Sequence, residues 1–193
     1  MRRENKCKKI ILSIFIILFP FSISNSIENF GIVSKGIYRG SELKTPQEYQ
    51  YLHDVLRVDI IINLNTKKDN PEFCKKYNLN CVQYPIHLFP LSDIFFDWTT
   101  LRQAFRFIIR ARQAKEHIYI HCKHGSDRTG ALVSLVMVRD RACELTFNKN
   151  RLWKEIDMNL KNYKFHSIYI FLHRQIQNSI FDFEKNQWIC EKI

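Results

Sequence analysis

Apolar positions along the chain change period several times, and each change predicts an element. Between Gly31 and Gly40, short apolar pairs punctuated by glycine predict a first strand or a hairpin. Thr45 and Pro46 then supply an N-cap and a proline at the first helical position, and Glu48, three residues after Thr45, completes a capping box, so a helix is expected over 47–57. The β-branched run from Val58 to Leu64 lacks alternation, which suits a central strand covered on both faces. Asn70 and Pro71 open a short helix to Tyr77, and Cys81 to Ile86 reads as another strand. Between Asp97 and Ala114 the residues Trp98, Leu101, Ala104, Phe105, Ile108 and Ile109 recur at three and four, the spacing of one buried helical face. Ile118 to His121 is a short continuous strand. From Thr129 to about Arg139 the pattern is helical again, through Leu132, Val133, Val136 and Met137. Two further helices are expected over 152–160 and 168–177, carrying Trp153 and Ile156 on the first and Ile168, Phe171 and Leu172 on the second.

Strands interleaved with helices and followed by a helical block predict an α/β fold: a single-domain sandwich with a central, largely parallel sheet flanked by helices. No linker, repeat or low-complexity stretch marks a second domain. In such sheets ligands sit beyond the carboxyl ends of the strands, so the chemistry should be sought just after Ile118 to His121.

Composition changes this picture in two ways. With 46% hydrophobic and 25% charged residues among 193, the chain can fold around a core, which excludes disorder and a polytopic membrane protein. Five Gly and five Pro are too few for a loop-dominated all-β fold. Thirty Lys and Arg against nineteen Asp and Glu, a net charge of +11, favour an anionic partner without naming one. Part of that charge lies in the first residues. A basic start is followed by the apolar run Ile10 to Phe21 and by small residues up to Ser26, the order of a secretory signal. The run is about 12 residues long where a comfortable span needs roughly 20. The expected division is a signal peptide over 1–26, cleaved after Ser26, and one folded domain over 27–193, with an uncleaved membrane anchor as the alternative. Removing Arg2, Arg3, Lys6, Lys8, Lys9 and Glu4 with the signal leaves a net charge of +7.

Export to a periplasm or beyond the cell alters how the cysteines read, because an oxidising compartment permits disulfides. Cys7 leaves with the signal, and Cys74, Cys81, Cys122, Cys143 and Cys190 remain. None of them forms a Cys-x-x-Cys pair, so no metal and no cofactor is expected. Cys74 and Cys81 flank a short connection and are candidates to pair, although sequence alone cannot fix connectivity. Cys143 and Cys190 read as small buried hydrophobes.

Cys122 stands apart. Directly after the Ile118 to His121 strand comes a ten-residue stretch, His121, Cys122, Lys123, His124, Gly125, Ser126, Asp127, Arg128, Thr129 and Gly130, in which a cysteine and an arginine bracket five residues and a helix begins at the arginine. A thiol attacks as the thiolate, which a helix N-terminus and neighbouring cations favour. A transferring phosphoryl group carries charge on three equatorial oxygens, so the site must also supply converging donors. A glycine-containing loop of backbone amides and a forked guanidinium provide them.

These residues resemble the cysteine-dependent protein tyrosine phosphatase superfamily, whose signature is His-Cys-x5-Arg followed by Ser or Thr, and most of all its small atypical dual-specificity members. The resemblance extends loosely from Gly36 to about Gln177. It implies a hydrolase acting on phosphomonoesters, with Cys122 as the nucleophile that takes the phosphoryl group and Arg128 as the ligand of the phosphate and of the transition state. His121 would orient the loop and favour the thiolate. Thr129 would donate to the sulfur as it leaves, its plainer reading being a helix cap. Lys123, His124, Gly125, Ser126, Asp127 and Arg128 would form the phosphate-binding loop. The general acid falls to Asp93, 29 residues before Cys122 in a loop that also contains Pro90 and Ser92. Its competitors are Asp97, read as the N-cap of the following helix, Asp127 and His87, and the usual Trp-Pro-Asp order is missing.

Substrate is less determined. Phosphotyrosine, with phosphoserine or phosphothreonine, is the first reading, and the alternative is a phosphoinositide or inositol phosphate drawn by Lys123 and His124. A third reading is a phosphate-binding module with an idle cysteine. Arg39 reads first as a surface charge, with contact to the phosphate region as the alternative. The basic stretch Lys161 to Lys164 reads as a solvated face. No aromatic-basic alternation points to nucleic acid, transient contact with an acidic membrane surface fits the charge, and a monomer is expected.

Overall fold

The computed structural model describes residues 26–87, 97–142 and 154. Among the described residues, five strands form one sheet: β1 (Gly31–Ser34), β2 (Ile37–Ser41), β3 (Ile60–Asn63), β4 (Asn80–Gln83) and β5 (Ile118–Cys122), in the order β1-β2-β5-β3-β4. The β1-β2 hairpin is antiparallel and the other three pairings are parallel. Among the described residues, four helices flank the sheet: α1 (Pro46–Asp54), α2 (Pro71–Lys76), α3 (Trp98–Gln113) and α4 (Asp127–Ala142). The expected α/β sandwich with a largely parallel sheet is therefore the fold.

Alternation along the two central strands divides the core. Ile60, Ile62, Ile118 and Ile120 face the side on which Leu101, Ala104 and Ile108 of α3 and Leu132, Val133 and Val136 of α4 pack. Ile61 and Tyr119 face the opposite side, against Tyr49, Tyr51 and Leu52 of α1 and Cys74 of α2. The uniformly buried β3 and β5 explain why their sequences do not alternate. Helix α4 is also buried nearly all round from Thr129 to Val136, which is why it carries Ala131, Leu135 and Val138 besides the residues of one face.

Thr45 caps α1 as its capping box implies, with the Thr45 hydroxyl accepting from the Glu48 amide and the Glu48 carboxylate accepting from the Thr45 amide at 2.9 Å. The helix ends at Asp54, however, short of Arg57. Arg57 adopts φ 56°, and the Val58 amide returns to the Leu52 carbonyl at 2.9 Å, which closes the helix end. Strand β4 stops at Gln83 instead of running to Ile86, because Pro85 has no amide to give. The amides of Tyr84 and Ile86 still reach the carbonyls of Asn63 and Leu64. Helix α4 begins at Asp127, two residues before the expected Thr129, with the Gly130 amide closing onto the Ser126 carbonyl at 2.6 Å. The signal peptide over 1–26 is outside the described residues apart from Ser26. The helices expected over 152–160 and 168–177 are outside them apart from Lys154. Cys143 and Cys190 are outside them too. Among the described residues no helix is long and apolar enough to cross a membrane.

Cys74 and Cys81 are joined by a disulfide that ties α2 to β4 across seven residues. Closing so short a loop removes a modest part of the unfolded chain's freedom. Replacing both by serine is expected to lower stability by about 2 kcal/mol, read from the urea midpoint of the double variant against the oxidised protein.

Candidate active site

Cys122 ends β5, and the chain then turns sharply before α4, so the loop lies beyond the carboxyl edge of the parallel strands. Its neighbour across the sheet is Ser41 of β2, in parallel register. Cys122 is buried and unbonded to any other cysteine. The loop passes close over β2: Gly125 sits at φ 70°, and a Cβ built there would collide with the Gly40 carbonyl group and come within 2.8 Å of the Ser41 nitrogen. Glycine is required here both for the left-handed backbone and for the close approach.

Several groups fasten the loop from outside. Arg39 of β2 donates through Nη2 to the Gly125 carbonyl at 2.5 Å and is 7% exposed, which corrects its reading as a surface charge. The reason is the position of β2 between β1 and β5, where the strand edge is covered and the guanidinium folds under the loop. Asn29 donates through Nδ2 to the His124 carbonyl at 2.7 Å, and the Glu42 amide donates to the Lys123 carbonyl at 3.4 Å. The His124 ring lies 3.3 Å from the Glu28 carboxylate, both of them largely in solvent. Lys123 and His124 are exposed, whereas Gly125, Ser126 and Asp127 are buried. The expected loop residues thus divide into a buried half near the helix start and an exposed half near the cysteine.

Arg128, in the first turn of α4, spans the site: its Nη1 lies 3.3 Å from both the Leu64 and the Ile86 carbonyls, past the ends of β3 and β4. Its buried Nε has no hydrogen-bond partner among the described residues. The Thr129 hydroxyl, fully buried, has none either. Thr129 is the third residue of α4, so it is not a cap. A buried polar group without a partner costs about 1–3 kcal/mol, and two of them beside one loop leave donors in reserve for an anion.

His121, the residue before the cysteine, is fully buried. Its Nε2 lies 3.1 Å from Oδ1 and 3.3 Å from Oδ2 of Asp69, and its Nδ1 is 3.4 Å from the Cys122 carbonyl. The Tyr119 ring stacks on it with centroids 5.7 Å apart. The Tyr119 hydroxyl donates to the Ser41 carbonyl at 2.7 Å. Burial holds this phenol well above its ordinary pKa, with the nearby Glu48 carboxylate adding to the effect. Asp69 was not singled out in the sequence. It lies in the polar stretch Lys67 to Asn70, which reads as a turn, and only the rule that loops after strand ends carry the chemistry could have drawn attention to it.

Asp93 lies outside the described residues. Asp97 caps α3, its Oδ1 accepting from the Thr100 amide at 2.9 Å and its Oδ2 from the Thr100 hydroxyl at 2.6 Å. Both oxygens are therefore engaged in the role read for it. No group of three or more His, Cys, Asp or Glu that could hold a metal ion occurs among the described residues.

Residues 26–139 match the model of a tyrosine phosphatase family. No curated protein matches the chain. Among solved structures, the core catalytic domain of the PP-IP phosphatase SIW14 from S. cerevisiae, in complex with citrate, is 22% identical with a TM-score of 0.61, over 84% of this chain and 94% of that one. A cysteine-to-serine variant of P. aeruginosa TpbA, in complex with phosphotyrosine, is 17% identical with a TM-score of 0.58, over 86% of this chain and 91% of that one. PTPMT1 is 12% identical with a TM-score of 0.56, over 77% of this chain and 96% of that one. At these identities the likeness to the solved structures is one of fold.

Proposed function

This chain belongs to the tyrosine phosphatase family, and from that premise we propose that it hydrolyses phosphomonoesters through a thiophosphate formed on Cys122. The observation that carries the proposal is the pairing, in one strand-loop-helix turn, of a free buried cysteine with an arginine whose Nε is held without a partner among the described residues. In the first step the Cys122 thiolate attacks phosphorus, an S–P bond forms, and the ester P–O bond breaks with its electron pair going to the leaving oxygen. A carboxylic acid gives that oxygen its proton, a role we assign to Asp93 because both oxygens of Asp97 serve the α3 cap. In the second step water attacks phosphorus, giving a proton to the Asp93 carboxylate left by the first step, the S–P bond breaks with its electron pair going to sulfur, and inorganic phosphate and the thiolate are released. Arg128 and the loop amides meet the charge on the equatorial oxygens, and the Thr129 hydroxyl is available to the departing sulfur. His121 orients the strand end on which Cys122 stands.

Phosphotyrosine, with phosphoserine and phosphothreonine behind it, is the first substrate class, and the phosphotyrosine-bound TpbA variant of similar fold supports it. The exposed Lys123 and His124 favour a second reading, a substrate with more than one phosphate such as an inositol phosphate or phosphoinositide, and the PP-IP phosphatase SIW14 of similar fold supports that one. Phosphate release from phosphotyrosine and phosphoserine peptides, inositol phosphates and phosphoinositide vesicles separates them. We expect the phosphotyrosine peptides to give the highest kcat/KM. A tenfold or greater preference for the polyphosphates, about 1.4 kcal/mol, would transfer the assignment to the second reading. No turnover on any of them would leave a phosphate-binding module. We further propose that the domain works after export, a reading that the Cys74–Cys81 disulfide supports. Terminal sequencing of the protein from its native compartment should begin at Ile27.

A further inference from the structure

We infer that Asp69 is a positioning residue for the nucleophile, acting through His121. This rests on the phosphatase reading above and adds to it a group that none of the signature residues includes. The Asp69 side chain is 7% exposed and that of His121 is wholly buried, and the carboxylate lies within 3.1 Å of Nε2. An ionised carboxylate only accepts, so the contact places the proton on Nε2 and fixes which way the ring faces. The other ring nitrogen lies 3.4 Å from the Cys122 carbonyl, itself an acceptor, so that contact is a hydrogen bond only when Nδ1 carries a proton as well. Rotation of the ring is opposed by the stacked Tyr119, whose own hydroxyl is anchored on Ser41, the strand partner of Cys122. Asp69 thus holds the ring, and the buried ring packs against the peptide unit of Cys122.

Asp69 can do this only if its loop is itself fixed, and the loop from Leu64 to Asn70, though partly exposed, is tethered at several points. Asn63 accepts from the Asn65 amide at 2.7 Å and donates to the Lys67 carbonyl at 3.0 Å. Gln83 of β4 donates to the carbonyls of Asn65 at 2.9 Å and Thr66 at 3.1 Å. The Asn70 amide donates to the Tyr49 hydroxyl at 3.3 Å, and Asn70 caps α2, the helix tied to β4 by the disulfide. So many constraints on a polar turn are the mark of a site-supporting segment, since a catalytic group misplaced by about 1 Å can cost on the order of 100-fold in rate.

The test compares the full chain with Asp69→Ala and Asp69→Asn in three readouts: steady-state hydrolysis of p-nitrophenyl phosphate, the rate of Cys122 alkylation by iodoacetate, and the downfield N–H proton resonance of His121. Asp69→Ala is expected to lower kcat about 10- to 100-fold while KM changes by less than about threefold, because the interaction lost serves the reacting geometry and not binding. Alkylation should slow and the resonance should disappear. Asp69→Asn keeps the side-chain volume and serves if the alanine variant does not fold. It is expected to move kcat in the same direction by a smaller factor. Wild-type kcat, alkylation and resonance in a folded Asp69→Ala, or in Asp69→Asn where the alanine variant does not fold, would overturn the inference, and so would a loss confined to KM. If the wild-type protein turns over no phosphate ester while alkylation still slows in Asp69→Ala, the phosphatase reading fails and the positioning role stands.

Discussion

Cys122→Ser is expected to reduce turnover of every phosphomonoester by about 10,000-fold or more while leaving the fold and substrate binding intact. The two side chains differ by one atom, and Cys122 is buried with no disulfide to lose, so little packing changes. What changes is the nucleophile: a serine hydroxyl keeps its proton near neutrality and is a far weaker nucleophile than a thiolate. The groups proposed to bind the anion remain, namely the loop amides, the Arg128 Nε and the Thr129 hydroxyl, the last two without partners among the described residues. The variant should therefore bind a phosphotyrosine peptide with the wild-type Kd and turn it over immeasurably slowly, a combination read by calorimetry and single-turnover quench. Arg128→Lys gives the complementary loss. A lysine keeps the charge but not the fork, so kcat/KM should fall by about 100- to 1,000-fold with Kd weakened as well. If Cys122→Ser released phosphate at the wild-type rate, the covalent mechanism would be wrong.

The parts of this site visible in the sequence are those set by local spacing. A cysteine and an arginine six positions apart, with a glycine between them and a strand before them, are neighbours because the chain has no room to separate them. The capping box at Thr45 and Glu48 and the cap at Asp97 were legible for the same reason. The sheet was legible from the apolar runs, since a strand buried on both faces leaves a continuous hydrophobic record. Arg39 and Asp69 were not, because each gains its role from a partner far along the chain: Gly125 for the first, 86 residues away, and His121 for the second, 52 residues away. A lone arginine on a strand and an aspartate between lysines and a proline look like solvated surface until sheet order is known. Once the order β1-β2-β5-β3-β4 puts β2 and β3 on either side of β5, their carboxyl ends have to flank the loop that follows Cys122, and polar residues there become candidates to support it.

Gly125→Ala is expected to cost about 2–5 kcal/mol of stability and, in whatever fraction folds, about 100-fold in kcat/KM. Two penalties combine. The φ of 70° is one that a residue with a Cβ adopts at a cost of about 1–2 kcal/mol. The added carbon also has nowhere to go, because the atoms it meets are the Gly40 carbonyl group and the Ser41 nitrogen, main-chain atoms of a strand paired in register with the strand that carries Cys122. Flexible side chains could swing aside, but β2 can retreat only by giving up its ladder with β5. The loop must therefore lift, which draws the Gly125 carbonyl from Arg39 and moves the amides proposed to bind the phosphate. Gly31→Ala is the control, since a Cβ there meets only the Arg39 side chain at 3.6 Å, an ordinary contact. Urea unfolding and kcat/KM measured on both variants decide the matter. A Gly125→Ala protein as stable and as active as Gly31→Ala would mean that the loop does not lie against β2, and the geometry proposed for the phosphate site would fall with it.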